Sequence, residues 1–188
     1  MKWQLIRLED VVASAWRNGG GMTREMAAWP SAGEWWWRIS VAEVAAGGPF
    51  SRFEGVQRWF AVLNGSGVKL KLGSDEHLLT SSSEPFCFDG AQNVDCSLVG
   101  GATQDLNLMV RSDKASAKMM RVRGELVFMS ARDAVFAIYC NRTAGSVHSD
   151  NETVSVPANS LVWRPVAAGT QVRISAADAL WMEIAPWA

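Results

Sequence analysis

Turn-forming residues interrupt this chain at short, regular intervals, and that spacing limits its fold more than any other feature. Asn64-Gly65-Ser66-Gly67 and Asn141-Arg142-Thr143-Ala144-Gly145 are two such interruptions. Between the interruptions lie short runs rich in β-branched or aromatic residues, which favour strands. Neither half of the chain has the spacing of helical crossovers that parallel strands require. The pattern therefore predicts an all-β fold, a sandwich or jelly roll with few short helices.

The predicted strands can be placed along the chain from this rhythm. They cover residues 35–44, 58–63, 67–72, 85–88, 96–99, 105–110, 124–129, 134–139, 152–156, 160–163, 171–175 and 180–185. Helical periodicity is weak, and its longest candidates are residues 8–15 and 112–120. A polar junction at residues 112–118 divides the strands into two comparable halves. We therefore expect two modules, 1–111 and 112–188, packed as one compact unit.

Charge and composition exclude several classes of partner. The chain has 18 Lys and Arg against 19 Asp and Glu, scattered without blocks, so neither nucleic acid nor an anionic membrane is an expected partner. No window approaches the roughly 20 apolar residues that span a bilayer, and the charged N-terminus does not resemble a signal peptide. These features predict a cytoplasmic protein.

The cysteines and histidines do not form a recognisable metal site. Three cysteines without C-x-x-C spacing argue against a disulfide framework and a structural zinc site. The two histidines, His77 and His148, lie far apart in different halves. We therefore expect no metal and no cofactor.

Alternation along two strands gives each a polar and an apolar face, because successive side chains point to opposite faces of a sheet. Arg38 and Ser40 share one face of the first strand, and Asp105, Asn107 and Met109 share one face of the second. Such polar stripes usually face solvent. The alternative is that they line the mouth of a barrel, where an Arg would bind a carboxylate and amides or hydroxyls would orient it.

Two further segments attract attention. Residues 16–25 contain three adjacent glycines that free the backbone for positive φ, and a tight structural turn or a ligand-binding loop explains them equally well. Arg58 shares its strand face with Phe60 and Val62. A guanidinium on an apolar face needs a partner, because leaving it buried and unpaired is costly.

At these residues the sequence resembles the HutD/Ves family, whose genes often accompany bacterial histidine-utilisation genes. The similar segments are WRNGGGMTRE at 16–25, WRISVAEV at 37–44, GPFSRFEGVQRWFAVLNGSG at 48–67, FCFDG at 86–90 and DLNLMVR at 105–111. The resemblance implies a bicupin, two jelly-roll modules in one chain, with a ligand pocket in the N-terminal module. It implies a small carboxylate metabolite, such as urocanate or formylglutamate, as ligand.

The resemblance also implies which residues bind the ligand. They are Asn18, Glu25, Arg38, Ser40, Arg58 and Asn107. In this hypothesis Arg38 or Arg58 holds the carboxylate, the amides and the hydroxyl orient it, and Glu25 accepts a hydrogen bond or pairs with an arginine. No catalytic residue is predicted.

Three functions compete at this point. The first is a metal-free binding protein that modulates histidine catabolism, and the sequence favours it over catalysis. The second is an enzyme acting on a histidine-pathway intermediate with Glu25 or Asp105 as general base. The third is an interaction module in which Trp35, Trp36 and Trp37 form a partner surface, with a homodimer as the expected assembly.

Overall fold

A computed structural model describes residues 2–150 and 152–187. The described chain is built almost entirely of antiparallel strands, which confirms the all-β prediction. Its only helix in these residues is one 3-10 turn, Leu8–Asp10. Neither weak helical candidate forms a longer helix. Residues 115–120 belong to the strand Ala115–Met129, whose first residues alternate between more and less buried, and within residues 8–15 the helix is limited to that single turn.

Two compact units divide the chain. The first unit, Val12–Asp113, contains ten strands: β2 (Ser14–Ala15), β3 (Gly21–Trp29), β4 (Trp37–Val44), β5 (Gly48–Pro49), β6 (Val56–Asn64), β7 (Val68–Leu72), β8 (Asp75–Leu79), β9 (Phe86–Asp89), β10 (Val94–Leu98) and β11 (Thr103–Arg111). A six-stranded sheet has the order β2-β3-β4-β11-β6-β9, and a four-stranded sheet has the order β5-β10-β7-β8.

The core of this unit is formed by inward-facing residues of strands from both sheets. It includes Phe60, Val62, Leu70 and Cys96, all buried. The central strands β6 and β11 are buried on both faces along most of their length. Polar residues on these strands therefore cannot all face solvent, as an ordinary alternating strand would allow.

The second unit contains seven strands: β1 (Gln4–Arg7), β12 (Ala115–Met129), β13 (Ala134–Cys140), β14 (Gly145–Ser149), β15 (Glu152–Val156), β16 (Ser160–Val166) and β17 (Gln171–Pro186). They form one sheet in the order β1-β16-β13-β17-β14-β15, with β12 also paired to β17. Its core is rich in Val and Ile and includes Phe136 and Trp181, whose rings meet edge to face.

The structural division differs from the predicted modules 1–111 and 112–188 at its N-terminal end. Strand β1 pairs with β16, from Gln4 opposite Trp163 to Arg7 opposite Ser160. The first residues of the chain therefore complete the sheet of the second unit. Short-range patterns cannot reveal such a pairing, because its partners lie more than 150 residues apart in the sequence.

No helix in the described residues has the length and apolarity needed to cross a membrane.

Candidate functional site

A cavity of about 500 Å³ opens inside the unit Val12–Asp113. Strands β4, β6 and β11 contribute side chains to it, and so do the loops before β3 and before β6. Five of the six residues predicted to bind a ligand line this cavity: Asn18, Arg38, Ser40, Arg58 and Asn107. The sixth, Glu25, is not among the lining residues. The structure therefore brings together residues that are as much as 89 positions apart in the sequence.

The strand register explains how these side chains meet. On β4 and β11, Ser40 lies opposite Asn107 and Arg38 lies opposite Met109. On the other side of β11, Arg58 of β6 also lies opposite Met109. Residues opposite one another in antiparallel strands project from the same face of a sheet. The two arginines therefore flank Met109 on one inward-facing surface, so the barrel-mouth alternative describes these stripes better than solvent exposure does.

Arg58 is the most buried charged group of the cavity, with 8% of its surface exposed. Its Nη2 donates to Oδ1 of Asn107 at 3.0 Å and its Nη1 donates to the carbonyl oxygen of Ser51 at 3.3 Å. Its Nε has no hydrogen-bond partner among the described residues. No carboxylate of the described chain forms an ion pair with it.

Aromatic rings complete the surroundings of Arg58. Its guanidinium carbon lies 5.0 Å from the ring centre of Phe50, 5.1 Å from that of Phe88 and 5.8 Å from that of Phe53. Ring faces attract a cation but do not neutralise it. Burial, and secondarily the charge of Arg38, lowers the pKa of Arg58 to about 10. Arg58 thus remains a cation at neutral pH without an ion-pair partner among the described residues.

Arg38 is more exposed and, unlike Arg58, lies near a carboxylate. Its Nε, like that of Arg58, has no hydrogen-bond partner among the described residues. Its Nη2 donates to Sδ of Met109 at 3.3 Å, and its Nη1 lies 3.8 Å from Oε2 of Glu25. Its guanidinium carbon lies 5.3 Å from the ring centre of Trp35. Burial lowers the pKa of Arg38, and the charge of Glu25 opposes that change. Glu25 therefore partners an arginine from the edge of the cavity, which is one of the two roles predicted for it.

The glycine-rich loop closes one side of the cavity. Asn18 uses Oδ1 to accept the backbone N–H of Gly20 at 3.0 Å, and Nε1 of Trp16 donates to Oγ1 of Thr23 at 2.8 Å. Of the three glycines, only Gly19 has a positive φ, at 70°. Gly21 is required for a different reason, because a Cβ there would collide with the carbonyl oxygen of Glu43. The loop is thus a structural turn that also presents Arg17 and Asn18 to the cavity.

A pair of alanine substitutions separates the two roles of glycine in this loop. We expect Gly21→Ala to lower the free energy of unfolding by about 3 kcal/mol, since strands β3 and β4 would have to move apart. Gly19→Ala serves as the control. Its added Cβ meets no atom within 4 Å, so only the backbone conformation costs energy, about 1 kcal/mol. Urea denaturation of both variants measures the difference, and equal losses would contradict the close-approach explanation.

Several cavity residues were missed by the sequence-based prediction. Phe53 and Met109 contact arginines, and Arg17 lines the cavity. Met109 could have been found, because it shares the strand face of Asn107. Arg17 and Phe53 lie in loops, where alternation gives no direction to a side chain.

Asp105 lies on the same face of β11 but is fully buried and does not line the cavity. It accepts a hydrogen bond from Oγ1 of Thr103 at 2.7 Å, and its Oδ1 has no partner among the described residues. Burial raises its pKa to about 7, and the Thr103 hydrogen bond opposes the change. Neither carboxylate considered as a general base, Glu25 or Asp105, is therefore presented to the cavity.

Buried arginines of the second unit are satisfied differently. Nη1 of Arg121 lies 3.2 Å from Oδ1 of Asp178, and Nη2 of Arg164 lies 2.5 Å from Oδ2 of Asp150. Each of these arginines has a carboxylate of the same chain beside it. Arg58 is as buried as Arg121, but no carboxylate among the described residues forms an ion pair with it. Within residues 2–150 and 152–187, no group of three or more His, Cys, Asp or Glu could hold a metal ion.

The chain is similar to known proteins in sequence and in fold. The family model described as HutD matches residues 8–182. A 21.2 kDa protein encoded in the hutC 3′ region of Pseudomonas putida is 33% identical over 136 residues, which cover 70% of each chain. Protein Ves of Citrobacter koseri is 39% identical over 135 residues, again 70% of each chain.

Solved structures show the same fold. A conserved protein of unknown function from Pseudomonas aeruginosa PAO1 superposes with a TM-score of 0.87, at 26% identity and full coverage of both chains. HutD from Pseudomonas fluorescens SBW25, described in a formate condition, superposes with a TM-score of 0.85 at the same identity and coverage. An oxalate decarboxylase of Lactobacillus farciminis gives a TM-score of 0.66 at 8% identity, covering 96% of this chain and 85% of its own. That last likeness concerns the fold alone.

Proposed function

This chain belongs to the HutD family, and from that premise we propose that it is a metal-free binding protein for a small carboxylate metabolite, through which it modulates histidine catabolism. The observation that carries the proposal is Arg58, a buried cation without a carboxylate partner in the described chain. A ligand carboxylate would supply the missing countercharge at the cavity where Arg58 lies.

The other lining groups fit a small organic acid. Asn107 and Ser40 offer hydrogen bonds, while Phe50, Phe60 and Met109 offer apolar surface. A cavity that combines apolar surface with convergent polar groups is typical of small-molecule sites. The family resemblance implies urocanate, which has one carboxylate, and formylglutamate, which has two, and both are compact molecules.

In this proposal the two units are two jelly-roll modules of a bicupin, with the ligand in the unit Val12–Asp113. Two packed antiparallel sheets in that unit and the likeness to cupin-like folds support this architecture. The expected cytoplasmic location stays a prediction, as does a homodimer formed through a tryptophan surface. Trp36 is the exposed member of that triplet, while Trp37 is buried as strand alternation requires.

The enzyme alternative has one observation in its favour, the pKa of Asp105 near neutrality, which suits a general base. Its position argues against it, because a fully buried carboxylate that does not line the cavity cannot reach a substrate there. Turnover of a histidine-pathway intermediate that is lost in Asp105→Asn would support catalysis over binding.

A thermal-shift measurement tests the binding proposal directly. Purified protein is heated with histidine, urocanate, formylglutamate, glutamate or formate, with EDTA and divalent metals as controls. A ligand at a hundred times its dissociation constant should add about 2.7 kcal/mol to the free energy of unfolding, a rise of several degrees in Tm. We expect the shift with a carboxylate metabolite to survive EDTA. Stabilisation by a metal alone, or by none of the compounds, would contradict the proposal.

A further inference from the structure

Three guanidinium groups, those of Arg17, Arg38 and Arg58, line the same cavity. No Asp or Glu is among the lining residues. Glu25 reaches Arg38 from the cavity edge at 3.8 Å, and no ion pair of Arg17 or Arg58 is found in the described part of the chain. Three arginines against one glutamate leave a formal excess of two positive charges.

This excess exceeds what one carboxylate can neutralise. Like charges that share a cavity repel one another, and the repulsion is stronger where burial excludes water, as it does around Arg58. A ligand with one carboxylate lowers this repulsion but leaves a net positive charge behind. A ligand with two carboxylates matches the charge of the site, provided that its two ends reach different arginines.

The arginines lie at different depths. A dicarboxylate would therefore bind in one orientation, with one end near the buried Arg58 and the other near the exposed Arg17. Arg58 is buried beside Asn107, whereas Arg17 is exposed in the loop between β2 and β3. The loop itself is held in place by two hydrogen bonds, Gly20 N–H to Asn18 and Trp16 to Thr23. Arg17 is therefore presented from a defined turn rather than from a disordered segment.

We propose that the cavity takes a short dicarboxylate, with one carboxylate held at Arg58 and Arg38 and the second at Arg17. This inference rests on the proposed binding function and specifies its ligand class. Arg58 and Arg38 supply the main affinity, because charge-assisted bonds gain strength where water is excluded. Arg17 supplies selectivity, and because it is exposed its contribution is modest and sensitive to salt.

The test compares matched diacids and monoacids by isothermal titration calorimetry at low ionic strength. The diacids are succinate, glutarate and adipate, and the monoacids are butyrate, pentanoate and hexanoate. For the unmodified protein we expect the best diacid to bind about fivefold more tightly than the monoacid of the same chain length. In Arg17→Gln that preference should disappear, while monoacid affinity changes by less than about twofold.

Arg7→Gln is the charge-matched control, because Arg7 is exposed on β1 and belongs to the other unit. It should keep the full preference for diacids. Equal affinity for both acids in the unmodified protein, or a diacid preference that persists in Arg17→Gln, would overturn the dicarboxylate inference and leave carboxylate binding intact. If none of the six acids binds, the proposed binding function itself fails.

Discussion

Replacing Arg58 with Met should reduce carboxylate affinity at least a hundredfold while leaving the protein as stable as before, or more so. Met has a similar length and fills the space among Phe50, Phe53 and Phe88. The substitution removes a buried cation that lacks a carboxylate partner in the described chain. Taking away an uncompensated buried charge relieves a desolvation cost, whereas the ligand loses its main charge-assisted contact.

Arg121 provides the matched control, because it too has 8% of its surface exposed. It is paired with Asp178, which also accepts a hydrogen bond from Nδ2 of Asn141 at 2.7 Å. Arg121→Met should therefore lower the free energy of unfolding by about 2 to 3 kcal/mol, since it breaks a buried pair. Calorimetry and urea denaturation of both variants measure affinity and stability. A comparable loss of stability in Arg58→Met would identify Arg58 as a structural residue and sink its assignment to the ligand.

The second large effect concerns the pH dependence of stability. The Asp105 carboxyl has an ordinary pKa of 3.8, and burial raises it to about 7 in the folded protein. Between these two values the folded state keeps a proton that the unfolded state has lost. The free energy of unfolding therefore falls as pH rises from about 4 to 7 and becomes constant above that range. The size of the loss from this one group is on the order of 4 kcal/mol.

Asp105→Asn removes this dependence, because the amide is neutral at every pH and can still accept the Thr103 hydrogen bond. We expect the variant to be more stable than the parent at pH 8, by an amount approaching that loss, and nearly equal to it at pH 4. Asp95→Asn is the control, since Asp95 is exposed on β10 of the four-stranded sheet. Urea denaturation from pH 4 to 8.5 gives the slopes. An unchanged slope in Asp105→Asn would show that Asp105 is ionised in the folded protein.

Family membership followed from the sequence because the motifs are local. The segment 16–25 carries Trp16, Asn18 and Gly21 in one turn, and each is needed there for a contact within that turn or with the adjacent strand. Strand alternation likewise placed Arg38 with Ser40, and Asn107 with Met109, on shared faces. These predictions succeeded because side-chain direction within one strand depends only on the backbone period.

Segments whose neighbours decide their conformation could not be placed from local patterns. Residues 112–120 have a weak helical pattern, yet residues 115–120 pair with residues 181–186 as part of a long strand. Tertiary pairing overrides such a weak local preference. Gln4–Arg7 lies within the predicted module 1–111 but pairs with β16 of the second unit, and no local pattern reveals a partner so distant in the sequence.

The sequence by itself thus determined the all-β class, the family and the polar character of the strands that form the site, since each depends on local spacing and side-chain alternation. Only the tertiary structure decided that Arg38 has Glu25 beside it while Arg58 has no carboxylate partner in the part of the chain that the structure describes, and that Arg17 lines the same cavity. Whether a charged group is paired depends on atoms brought close by β-sheet register across the whole unit. Burial and countercharge are therefore properties of the fold, and no pattern within a single segment contains them.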